Sequence, residues 1–170
     1  GLDKWYDIIQ LSPNGKLLAV GVQYGSLYVY DVDKNEILAG THNTQDYFKG
    51  FGAPITFSRI MFDENSTVLR TVGYDEVIKY WDAFTLEQIK DVTGTENSFV
   101  TTEKFNNIVW SDGLIFTRDL NKLKVWSGVD KTRITESPLP TGEALAVNLE
   151  GTRLYVSSSD GFISAWGYKP

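Results

Sequence analysis

The chain repeats itself, and that repetition limits its fold more than any other feature. Three segments share one order of parts: DIIQLSPNGKLLAVGVQYGSLYVYDVDKNEIL from Asp7 to Leu38, SRIMFDENSTVLRTVGYDEVIKYWDAFTLEQI from Ser58 to Ile89, and LAVNLEGTRLYVSSSDGFISAWGY from Leu145 to Tyr168. Each reads as a short apolar strand, a polar turn, a longer apolar strand, a tight turn, and a strand that closes on an aromatic. The first turns are Ser12-Pro13-Asn14-Gly15, Asp63-Glu64-Asn65-Ser66 and Glu150-Gly151-Thr152, and the second are Gln23-Tyr24-Gly25, Gly73-Tyr74-Asp75 and Ser159-Asp160-Gly161. All are rich in residues that favour chain reversal. The closing aromatics are Tyr30, Trp81 and Trp166, with Trp126 closing a weaker copy over roughly Asn106 to Ile134.

In chain order these aromatics stand 51, 45 and 40 residues apart. That spacing lies near the ~40–45 residues of one four-stranded propeller blade. The longest interval contains an insertion, Gly40 to Thr56. Along Leu17–Val22 both alternating registers are apolar, as in a strand covered on both faces. No segment keeps an apolar i, i+3, i+4, i+7 pattern, so helices are expected to be nearly absent, and Asp82-Ala83-Phe84-Thr85 is read as a tight connection. The expectation is an all-β chain of about four antiparallel blades, bounded roughly at 1–40, 41–92, 93–137 and 138–170. A seven-bladed ring would need about 300 residues. The chain is therefore expected to be a partial or fragment propeller, its ring completed by a second chain or a missing segment.

Composition removes several function classes. The 16 Lys and Arg against 22 Asp and Glu leave a net charge of -6, which opposes non-specific nucleic-acid binding. The most basic stretch, Lys122, Lys124, Trp126, Lys131 and Arg133, is interrupted by Asp119, Asp130 and Glu136. There are no cysteines and one histidine, His42, so thiol chemistry and multi-histidine metal sites are excluded. The acidic turns Asp31-Val32-Asp33 and Asp63-Glu64-Asn65 lack the glycine and terminal glutamate of a calcium loop and read as solvated. No apolar stretch is long enough to span a membrane and no leader pattern opens the sequence, so the expected location is cytoplasmic. Asn65-Ser66-Thr67 matches a glycosylation triplet but has no secretory context.

These repeats resemble WD40 repeats. Asp75 and Asp160 lie six residues before Trp81 and Trp166, as that family's turn aspartate precedes its tryptophan. Trp81-Asp82 is the eponymous dipeptide, Tyr30-Asp31 is a common variant, and Gly40-Thr41-His42 is similar to the Gly-His pair that opens a blade. The resemblance implies that His42 bonds Asp75; most of the tryptophans repeat with the blades and so read as core rather than as a stacking platform for bases. Tyr24 and Leu120 stand where the other two blades would carry the turn aspartate. A narrower resemblance, over Gly73-Tyr74-Asp75-Glu76-Val77-Ile78-Lys79-Tyr80-Trp81-Asp82, is to the echinoderm microtubule-associated-protein-like family. The irregular stretch Asn107-Ile108-Val109-Trp110-Ser111-Asp112-Gly113 is compatible with it. Membership implies non-catalytic binding of tubulin or other cytoskeletal partners.

The functional expectation is a protein-interaction scaffold without catalytic residues, metal or cofactor. The alternative is a propeller enzyme with carboxylates lining its channel. The segments expected innermost, Ile8-Ile9-Gln10-Leu11, Ile60-Met61-Phe62 and Leu145-Ala146-Val147, carry none. The WD40 resemblance implies that the insertion and the second turns share one face, and a partner surface is expected there. Its residues are Tyr24, Tyr47, Phe48, Lys49, Phe51 and Tyr74, because exposed aromatics grouped on one face are typical of binding hot spots.

Overall fold

Strand β2, Leu17–Val22, shows why these sequences become sheets. Its Leu17 and Ala19 join one hydrophobic cluster, while Val20 and Val22 join another on the opposite face. A strand covered on both sides needs apolar residues at every position, which is what the unbroken run supplies. In the computed structural model the described residues are 6–22, 26–41, 57–73, 77–90, 98–100, 107–111, 113–119, 121–139, 142, 144–148 and 152–167. Among them there are fifteen strands and no helix.

The strands form four antiparallel meanders with sequential order. Sheet one is β1 (Tyr6–Leu11), β2, β3 (Ser26–Asp31) and β4 (Glu36–Thr41). Sheet two is β5 (Phe57–Phe62), β6 (Val68–Gly73), β7 (Val77–Asp82) and β8 (Ser98–Val100). Sheet three is β9 (Asn107–Ser111), β10 (Leu114–Arg118), β11 (Lys122–Ser127) and β12 (Arg133–Pro138). Sheet four has three strands among the described residues: β13 (Leu145–Val147), β14 (Arg153–Ser157) and β15 (Ile163–Gly167). The chain divides into two compact units, Gly1–Thr101 with the first two sheets and Thr102–Pro170 with the last two.

Inside the first unit β1 lies against β5. The two sheets share one core: Leu17, Ala19, Leu27 and Val29 from sheet one meet Ile60, Phe62, Leu69, Trp81, Ala83 and Leu86 from sheet two. Gly21 sits at the tightest approach. A Cβ there would stand 2.8 Å from Ile8 Cγ2 and Phe57 Cδ2 and 2.9 Å from Ile60 Cδ1. Only hydrogen fits that gap without displacing its neighbours. In the second unit β9 lies against β13. There Val109, Phe116, Leu123, Leu139, Leu145, Leu154 and Val156 form the shared core.

The turns repeat in chemistry as well as in position. Between the first two strands of sheet one, Ser12 Oγ accepts from Leu17 N at 2.9 Å and Asn14 Oδ1 from Lys16 N at 3.0 Å. In sheet two, Asp63 Oδ1 accepts from Thr67 N and Val68 N at 2.6 and 2.8 Å. In sheet four, Asn148 Oδ1 accepts from Thr152 N and Arg153 N at 2.9 and 2.7 Å. Asp63 is thus a turn-forming acceptor rather than merely solvated acidity. Gly15 and Ser66 take the left-handed φ values of 74° and 62° that such turns demand. Ser66 is buried and its Oγ accepts from Asn14 N at 3.2 Å, tying the two turns together.

Three differences from the sequence reading stand out. The second sheet continues to Val100, beyond the expected break at residue 92, because β8 pairs with the far part of β7, Val77–Lys79. The copy read as weak and shortened is a complete four-stranded sheet. Its first hairpin pairs Ser111 with Leu114, with Gly113 before Leu114 at φ 74°. Finally, Trp166 on β15 is 39% exposed and is not core, because β15 is the edge of a three-stranded sheet among the described residues.

Candidate functional site

The residues that follow the closing aromatics explain why the repeat ends as it does. Asp82 Oδ1 accepts from the backbone N of Phe84 and Thr85, each at 2.9 Å, and closes the turn to the fourth strand. Those two backbone donors hold its carboxyl below the usual carboxylate range. Asp31 plays the same part with Lys34 N at 3.0 Å, and an ion pair to Lys34 Nζ at 3.2 Å adds to it. In sheet three Ser127 Oγ replaces the carboxylate, accepting from Val129 N and Asp130 N at 3.3 Å. The second residue of the dipeptide is therefore a turn acceptor, not a site of chemistry.

Two tryptophans have a partner that the sequence reading missed. Trp81 Nε1 donates to Thr71 Oγ1 at 2.9 Å, and Trp126 Nε1 donates to Thr117 Oγ1 at 2.8 Å. Register explains the recurrence: Trp81 pairs with Leu69 and Trp126 with Ile115, and the threonine lies two residues further along the second strand. The same count from Tyr30 and Trp166, which pair with Leu18 and Leu154, reaches Val20 and Val156. The signal was present as Thr, Thr, Val, Val at one register position, but it becomes visible only once the strands are paired. Thr71→Val and Thr117→Val should each lower stability by about 1–2 kcal/mol, since each leaves a buried indole N–H without its acceptor. Chemical denaturation checks this, and the isosteric change leaves packing as the constant.

The basic stretch is largely neutralised. Lys122 Nζ lies 2.7 Å from Glu136 Oε1, Arg133 Nη1 3.2 Å from Glu136 Oε2, and Lys124 Nζ 3.2 Å from Asp119 Oδ2. Lys124 is buried. Burial alone would raise the Asp119 carboxyl, but the hydrogen bond from Lys124 and the backbone donors of Asn121 and Lys122 outweigh it and hold it low. Asp160, the turn aspartate of sheet four, works locally: Ser158 Oγ donates to it, and so does Phe162 N at 3.3 Å. Among the described residues no group of three or more His, Asp or Glu is placed to hold a metal.

Tyr24, Tyr47, Phe48, Lys49, Phe51 and Tyr74 lie outside the described residues, as do His42, Asp75 and Leu120. The strand ends that bracket them are described, and they share one end of the first unit. Val22 pairs with Tyr6 and Ser26, and Leu27 with Thr41, so the ends flanking Tyr24 and the start of the insertion lie together. Phe57 pairs with Gly73, joining the end of the insertion to the strand that precedes Tyr74. Phe57 in turn packs beside Gly21 of β2, which puts both groups of strand ends on the same side. The capped turns at Ser12–Lys16 and Asp63–Val68 lie at the opposite ends of these strands.

No family model matches the chain, and no curated protein does. Among solved structures it is similar to the crystal structure of the computationally designed Ika4 protein. That likeness has a TM-score of 0.63 at 14% identity over 99% of this chain and 94% of that one. At that identity the likeness concerns the fold alone.

Proposed function

We propose that the four sheets are WD40-type propeller blades, and that the chain is a non-catalytic scaffold for protein-protein interaction. Its binding face is the end of the first unit that carries the Gly40–Thr56 insertion and the Tyr24 and Tyr74 turns. The observation that carries this reading is the gathering of the flanking strand ends, Val22, Ser26, Thr41, Phe57, Gly73 and Val77, at one end of two stacked sheets. A rigid sheet pair that displays loops at one end is a common platform for recognition. Supporting the blade assignment are the sequential meanders, the adjacency of first strands within each unit, and the recurrent Trp–Thr bond. The first strands β1, β5, β9 and β13 offer an enzyme little: the only carboxylate in their sequences is Asp7. A cytoplasmic, cytoskeletal partner such as tubulin follows from the narrower family resemblance, although a net charge of -6 opposes docking on another acidic surface.

The test compares Phe48→Ala and Tyr74→Ala with Glu64→Ala and Asn65→Ala at the opposite end. Asn14 would be a poor control because its side chain and backbone hold the turn. Partners captured from cytosol are identified by mass spectrometry, and purified tubulin is assayed directly. The first pair should weaken binding by ~2 kcal/mol or more, and the second pair should leave it unchanged. Loss of binding in the second pair alone would place the interaction on the other end. Loss of thermal stability in the first pair would make those aromatics part of the core.

A further inference from the structure

The turn between β1 and β2 holds a reactive dipeptide. The chain has nine asparagines, and Asn14 alone is followed by glycine. An asparagine amide can be attacked by the backbone nitrogen of the next residue, and glycine hinders that nitrogen least because it has no Cβ. Asn14 is exposed to the water that the later hydrolysis needs. The attack begins with loss of the Gly15 N–H proton, the same event that hydrogen exchange reads. The closed turn opposes it. Gly15 N donates to Ser12 O at 2.9 Å, so its proton is engaged. The side chain is held as well, because Asn14 Oδ1 accepts from Ser12 Oγ at 2.8 Å and from Lys16 N at 3.0 Å. Asn14 N donates across to Ser66 Oγ at 3.2 Å, which anchors the backbone to the neighbouring turn.

We propose that Asn14-Gly15 is a modification site gated by this turn, stable while the first hairpin is closed and deamidated when it opens. In the open turn the Gly15 nitrogen gives its proton to hydroxide and bonds to Asn14 Cγ. The Cγ–Nδ2 bond breaks, and Nδ2 leaves as ammonia after taking a proton from water. Nothing is oxidised or reduced. Water then opens the cyclic imide at either carbonyl, giving aspartate or isoaspartate. Aspartate keeps an oxygen for Lys16 N. Isoaspartate runs the backbone through Cβ and lengthens the turn by a methylene. The bonds from Gly15 N to Ser12 O and from Asn14 N to Ser66 Oγ then no longer fit together. Hairpin register follows turn length, so the β1–β2 pairing is what the modification damages. The inference does not depend on the proposed binding face, which lies at the other end of these strands.

A time course of the whole chain at neutral pH tests it, with mass spectrometry of the tryptic peptide that ends at Lys16. A synthetic peptide of residues 5–16, which has no fold, supplies the unprotected rate. The folded chain should deamidate at Asn14 ~10-fold or more slowly than the peptide, since it reacts only through its open fraction. In urea above the unfolding midpoint the two rates should converge. Ser12→Ala removes a bond to the Asn14 side chain and the acceptor for Leu17 N, and should speed the reaction of the folded chain ~3-fold or more. If that variant melts early, Ser66→Gly replaces it, because glycine accepts the φ of 62° and removes the hydroxyl that faces Asn14 N. A folded chain that reacts as fast as the peptide, an unfolded chain that stays unmodified at Asn14, or a loosened variant that reacts no faster than wild type would each overturn the inference.

Discussion

Replacing Arg118 with alanine should cost about 3–5 kcal/mol and lower the melting temperature by ~2–4 °C for each of them. The side chain at the end of β10 is wholly buried. Its Nη1 donates to the carbonyl oxygens of Ser157 at 2.6 Å and Ala144 at 3.3 Å, holding sheet three to sheet four within the second unit. Gly142 is packed so closely around this contact that a Cβ would lie 2.3 Å from Ser157 O and 2.7 Å from Arg118 Nη2. Alanine would remove a large buried volume and the donors to two carbonyls together. Arg118→Met keeps the stem and loses only the donors, so it should cost about half as much. If methionine is as damaging as alanine, the hydrogen bonds dominate; if it is silent, Arg118 acts only by filling space. Scanning calorimetry of both variants decides between them.

The second large effect is an inequality between residues that occupy the same place in the repeat. Trp81→Ala should cost about 3–5 kcal/mol, whereas Trp166→Ala should cost less than about 1 kcal/mol. Trp81 is 9% exposed, lies in the core shared by the first two sheets, and donates to Thr71. Trp166 is on an edge strand, and Val156 stands where an acceptor would be. Denaturant melts of the two variants against the wild-type chain measure the difference. Equal costs would mean that repeat position, rather than surroundings, decides what these tryptophans contribute.

That inequality also marks where the sequence could be read and where it could not. Turn residues were legible because Ser12, Asp63 and Asp82 act on backbone donors a few positions away, so spacing alone reveals them. The strands were legible because apolar runs such as Leu17–Val22 report coverage on both faces. Trp166 was misread because its burial depends on neighbours that the strand does not itself encode. Arg118 was not singled out: a charged residue at a strand end looks like any surface cation until the carbonyls of residues 144 and 157 come against it. Thr71 and Thr117 belong to the same class, since their importance lies in cross-strand register. The proposed binding aromatics rest on sequence position and on the strand ends that flank them.

The shared cores have a consequence for how such a chain can grow or shrink. Leu17 and Val29 find their apolar neighbours in Ile60 and Leu69 of the following sheet, and Phe116 finds its own in Leu154 of the next. A meander taken alone therefore owns only one side of its interior. Deleting one strips the adjoining meander as well, and adding one contributes little until its neighbour exists. Truncation within a unit is therefore expected to unfold both of its meanders, and loss of the remaining meander's near-ultraviolet signal would report it.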